Sequence, residues 1–226
     1  MIDNKEYLND NIVEVEEILN DNIVHRYFNI VLEMGILQHK KRMKLDGGYE
    51  TVTYPAAKGF SRTQEIGNVF YNNKELWPDG LSVDIILTQK IPVIKIKNII
   101  LTIKSTKNPD VLWKNPKDYM KEYSKLNIGL TPQISMGDCN FEENSKKLKL
   151  GLGAKYYGIL TYNLSKDDKV ENMKVVFLSD DAKSVAHSVN IPVISSENKI
   201  IPENKSLKDE IKTIKGESLR KNIELK

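Results

Sequence analysis

Between Val93 and Ile103 the chain runs through eleven residues of which only Lys95, Lys97, Asn98 and Thr102 are polar. Valine and isoleucine are stiff at χ1 and pack well on a pleated surface, so this stretch requires a sheet. Ile94 and Ile96 alternate with Lys95 and Lys97 in the period of a half-buried strand. A second β-branched run, Leu81–Leu87, precedes it after the turn residues Pro78-Asp79-Gly80. Two further strands are expected over Ala154–Leu164 and Met173–Leu178, joined in an antiparallel hairpin by Ser165-Lys166-Asp167-Asp168.

Helical patterns surround these strands. Leu8-Asn9-Asp10-Asn11-Ile12-Val13 recurs eleven residues later as Leu19-Asn20-Asp21-Asn22-Ile23-Val24. Because Asn and Asp suit N-caps better than helix interiors, each copy is expected to restart a helix. The second helix should run from Ile23 to Met43, with Val24, Tyr27, Phe28, Val31, Leu32 and Ile36 as its buried stripe. Gly35 weakens its middle and Gly47-Gly48 ends it. Glu50–Tyr54 reads as a short strand, Lys58–Arg62 as a loop, and Thr63–Tyr71 as a brief helix capped by Thr63. A break over Asn108–Asn115 precedes a short helix at Lys117–Leu126, a long loop occupies Gly129–Leu150, and a helix is expected over Asp181–Val189.

Helices first, strands in pairs and short helices between them give an α+β fold, with N-terminal helices packed on a mainly antiparallel sheet. With 226 residues, 40% of them apolar, one core suffices. The expected organisation is a single domain over 1–202, comprising a helical part (1–46) and a β-rich part (49–202), followed by a charged C-terminal helix or tail (203–226).

Charge is polarised: the first 24 residues carry seven acids against Lys5, while the whole chain is +3. Met1–Glu6 holds acids where an export signal has a basic segment, and no apolar run is long enough to span a bilayer, so a cytoplasmic protein without a membrane partner is expected. Cys139 is the only cysteine, which excludes an intrachain disulfide and any Cys-based zinc cluster. His25, His39 and His187 stand apart, so no metal site and no cofactor is predicted from them. The 30 Lys, 21 Asn and 25 Ile make up a third of the chain, a bias that AT-rich coding imposes and that suits a bacterial or phage protein.

Two groups of residues suggest chemistry. Asp79 and Asp84, followed by Lys95 and Lys97 on the next run, have the form of a metal-dependent nuclease core. There, carboxylates hold a divalent ion and a lysine stabilises charge developing on phosphate. Over about thirty residues the passage resembles the PD-(D/E)xK nucleases. That resemblance implies Mg²⁺ or Mn²⁺, but the second acid is absent: Val93-x-Lys95, Lys95-x-Lys97 and Thr102-x-Lys104 all lack it. Glu65 is the acid that could be recruited instead. The second group is Lys40, Lys41, Arg42 and Lys44, a basic helix end able to meet phosphates. Four arginines in the whole chain argue against base-specific reading of a duplex.

Without a complete catalytic motif, the preferred reading is a non-enzymatic interaction or accessory protein, with a protein partner or self-association through the acidic helices or the long loop. The alternative is a nucleic-acid-binding protein with a degenerate or unconventional metal-dependent nuclease core; whether the chain is an enzyme stays open at this point.

Overall fold

The computed structural model describes residues 4–45, 55–73, 85–88, 91–131 and 153–194. Three helices come first: α1 (Asn4–Leu19), α2 (Asn22–Leu45) and α3 (Pro55–Asn72). Strands β1 (Ile85–Thr88), β2 (Ile91–Ile96) and β3 (Ile99–Ser105) follow. A crossover made of a 3₁₀ segment (Pro109–Lys114), helix α4 (Asp118–Ser124) and a second 3₁₀ segment (Lys125–Leu130) leads to β4 (Tyr156–Leu164), β5 (Val170–Leu178) and β6 (Val185–Ile191). The six strands lie side by side in chain order. Every neighbouring pair is antiparallel except β3 and β4, which run parallel as a crossover connection allows. The fold is α+β.

Of the two Asn-Asp copies, only the second interrupts the helix. The Asp21 carboxylate accepts the Ile23 amide at 2.8 Å and caps α2. The first copy lies inside α1, where Asn11 is buried with its Oδ1 2.6 Å from the Tyr156 hydroxyl. Lys58–Arg62, expected as a loop, belongs to α3, which begins at Pro55, a residue preorganised for the first helical position. Thr63 is therefore interior and bonds back to the Gly59 carbonyl at 3.0 Å. Of the loop expected over Gly129–Leu150, Gly129 and Leu130 instead close the second 3₁₀ segment and are buried, and the part beyond Thr131 lies outside the described residues, as do the strand expected at Glu50–Tyr54, the turn at Asp79 and the C-terminal tail.

The run Val93–Ile103 is two strands. Lys97, at φ 51, turns the chain between β2 and β3. β3 is buried on both faces, not one: Ile99, Leu101 and Ile103 join the apolar cluster beneath α1–α3, while Ile100 joins a second cluster beneath α4. The sheet is thus sandwiched between two helical layers. On the first side α2 and α3 cross closely at Gly35, where a Cβ would stand 2.6 Å from Ile66 Cα, and Phe28 meets Phe70 edge-on at 6.4 Å.

The helix expected at Asp181–Val189 is instead the edge strand β6. Ser179, a residue type that caps helices, closes a turn here: its Oγ accepts the amides of Lys183 (3.2 Å) and Ser184 (3.0 Å) while Ala182 takes φ 55. A left-handed residue there breaks the helical path, and the β-branched Val185, Val189 and Ile191 then favour pairing along β5.

Two acids of α1 meet basic partners at the sheet. Glu14 of α1 accepts Lys155 Nζ at 2.6 Å and the Tyr156 hydroxyl at 2.7 Å, and also bonds Asn98, tying the helix to the starts of β3 and β4. Burial pushes the Glu14 carboxyl up, but Lys155, Tyr156 and Asn98 together outweigh it and hold its pKa below the usual value. Glu16 lies 3.2 Å from His187 of β6.

Candidate functional site

The residues that the sequence nominated do not assemble. Asp79 and Asp84 lie outside the described residues. Glu65 is buried in α3 and paired with Arg42 of α2. Lys95 sits opposite Ile100, on the α4 side of the sheet, whereas α3 covers the other side; the sheet therefore separates Lys95 from Glu65. Lys97 is exposed at the β2–β3 turn.

The basic helix end is also largely engaged. Lys40 bonds the Asp167 carbonyl at 3.0 Å and approaches the Asp168 carboxylate at 3.5 Å, which Arg62 shares at 3.6 Å. Arg42 is held by Glu65 and Lys41 is exposed. The Lys44 side chain is outside the described set.

On the α4 side a different arrangement appears. Thr102, one of the three positions at which the resemblance would have an acid, is fully buried, and its hydroxyl lies 2.8 Å from that of Tyr157. Burial raises the Tyr157 pKa well above its ordinary value, with Tyr119 adding to it, so the phenol stays protonated and the pair stays neutral. Two residues on, Lys104 is half-buried beside Lys117. Burial first, and then the Lys117 charge, lower its pKa.

Lys104 belongs to a larger sector. From Lys95 to Lys125 the chain carries eight lysines against Asp110, Asp118 and Glu122. Asp110 is taken by Lys174 at 3.0 Å and Asp118 by Lys121 at 3.4 Å. Among the described residues, no carboxylate pairs with Lys95, Lys97, Lys104, Lys107, Lys114 or Lys117. Lys95 lies on β2, Lys97 at the turn into β3, Lys104 near the end of β3, and Lys107, Lys114 and Lys117 along the start of the crossover that covers the second face of the sheet. Trp113 of the crossover is exposed, with the Lys114 ammonium 5.8 Å from its ring centre. Beyond the end of β3, against the last residues of β4, the start of β5 and the end of β6, lies an open cleft of about 540 Å³ whose lining includes Lys107, Asn163, Glu171, Asn172, Lys174 and Asn190.

The sequence reading missed Lys107, Trp113, Lys114 and Lys117. A signal for them existed: a net charge in this one stretch larger than that of the whole chain. Comparison with family models, curated proteins and solved structures finds no match to this chain.

Proposed function

We propose that the protein binds nucleic acid through its phosphates, using the lysine sector between Lys95 and Lys117 and not the helix end at Lys40–Lys44. The observation that carries this reading is the contrast in pairing. Lys40, Arg42, Arg62, Lys155 and Lys174 each have a carboxylate, whereas Lys95, Lys97, Lys104, Lys107, Lys114 and Lys117 have none among the described residues; of Lys40, Lys41 and Arg42 at the helix end, only Lys41 is likewise without one. Holding Lys104 half-buried next to Lys117 is electrostatically unfavourable in the free protein, and a bound phosphate relieves it.

Binding is expected to be insensitive to base sequence, because lysine meets phosphate as a point charge and lacks the guanidinium fork that reads guanine. The acidic helix α1 is a weaker candidate for a partner surface, since Glu14 and Glu16 face its own sheet.

Fluorescence-anisotropy titration with labelled DNA and RNA at two salt concentrations tests the proposal. Engagement of four to six phosphates gives a slope of log affinity against log salt of about −3 to −4 for single strands. Absence of binding at low salt removes the reading. Mg²⁺ and Mn²⁺ added to the same mixtures test for cleavage, with Asp84→Ala as the control that abolishes it if the acid pair is catalytic.

A further inference from the structure

Resting on the phosphate-binding reading above, we infer that the preferred ligand is single-stranded and that a base stacks on Trp113. A large aromatic ring on the surface has no folding role that requires exposure, yet Trp113 is 37% exposed and its neighbour Val111 40%. Cations flank it, with Lys114 over the ring and Lys107 and Lys117 on either side in the chain. A strand whose phosphates follow these lysines brings its bases within reach of the indole, and base–aromatic stacking tolerates any sequence.

The geometry of the crossover adds a second support. In a 3₁₀ segment, residues three apart line up on one side, so Trp113 shares the side on which Asp110 reaches Lys174. Lys174 and Pro109 border the cleft, so the 3₁₀ segment that carries Trp113 starts at its rim. The cleft presents the carboxamides of Asn172 and Asn190, groups that both donate and accept, and that of Asn163, whose Nδ2 donates to Glu171 at 2.9 Å and whose oxygen can accept. They match the hydrogen-bonding edge of a base, an edge that a duplex keeps occupied and only an unpaired base exposes.

The test uses the full chain carrying Trp77→Phe, so that Trp113 is the only emitting indole. It is titrated with a short oligothymidylate, a duplex of equal length, and heparin as a polyanion without bases. Oligothymidylate should bind more tightly than duplex and quench Trp113, and heparin should bind without quenching. Trp113→Leu should weaken oligothymidylate binding by about five-fold or more while leaving duplex and heparin unchanged. Equal affinities before and after Trp113→Leu, or tighter binding of the duplex, overturn the inference but leave the lysine reading standing. Failure of all three polyanions to bind overturns both.

Discussion

Replacing Asn127 with alanine should destabilise the protein more than any single surface change. This side chain is fully buried in the second 3₁₀ segment of the crossover. Its Nδ2 donates to the carbonyls of Tyr157 (2.8 Å) and Leu178 (2.9 Å), and its Oδ1 accepts the Tyr157 amide at 2.8 Å. It therefore fills the place between β4 and β5 just beyond the point where their own ladder begins at Ile159 and Val176. Truncation leaves one amide and two carbonyls buried without partners. At about 1–3 kcal/mol for each unsatisfied group, and allowing for partial relaxation, the loss is about 3–6 kcal/mol. That is a large share of the roughly 5–15 kcal/mol that holds a folded protein together. Urea denaturation followed by circular dichroism should show a midpoint lowered by about 1–3 M, with the slope nearly unchanged. Asn163→Ala, which removes a bond to Glu171 at an exposed site, is the control and should change little. A midpoint for Asn127→Ala within error of the wild type would refute the view that this carboxamide fastens the crossover to the sheet.

Other consequences follow from the packing and the charges. Gly35→Ala would stabilise an isolated helix by about 1 kcal/mol, but here the new Cβ meets Ile66 Cα and Cγ1 at 2.6 Å, so the net effect is a loss of about 1–2 kcal/mol. A raised melting temperature for Gly35→Ala would show that α2 and α3 are not in close contact there. The folded Glu14 pKa lies below the ordinary value of 4.5, so its contribution to stability is present above that value and lost as pH falls through the folded one. Accordingly, the stability gap between wild type and Glu14→Gln should narrow from neutral to acidic pH; a gap that stays constant would contradict the ion pair with Lys155. Lys104, whose pKa is lowered by burial and then by Lys117, should take up a proton when polyanion binds at alkaline pH, detectable as a buffer-dependent heat in calorimetry. Loss of that dependence in Lys104→Gln, against its persistence in Lys125→Gln, assigns the proton.

Much of the fold could be read from periodicity because it depends on local pattern. The stripe from Val24 to Ile36 is helical, and the β-branched centre is a sheet with the hairpin from β4 to β5 where the turn residues lie. The reading failed where a local signal has two meanings. Ser179 offers cap chemistry that serves a turn as readily as a helix, and the left-handed Ala182 decides between them. Lys58–Arg62 reads as loop around Gly59, yet Pro55 has already started the helix that carries it. The candidate site was harder to read because lysines are abundant throughout the chain and sequence does not show which have partners. Lys40 and Arg42 look free in sequence but meet Asp168 and Glu65, which are 128 and 23 residues away. Lys107, Lys114 and Lys117 drew no attention because their spacing follows no motif, and they become related only when the crossover lies across the sheet.

The most direct test of the lysine sector is the salt dependence of nucleic-acid binding for the wild type and for the variant combining Lys104→Gln, Lys107→Gln, Lys114→Gln and Lys117→Gln. The variant is expected to keep its fold, to bind far more weakly at low salt, and to lose about 3 units of slope in log affinity against log salt. A variant that binds with the affinity and slope of the wild type, with Lys40→Gln and Lys41→Gln instead abolishing binding, would contradict this expectation.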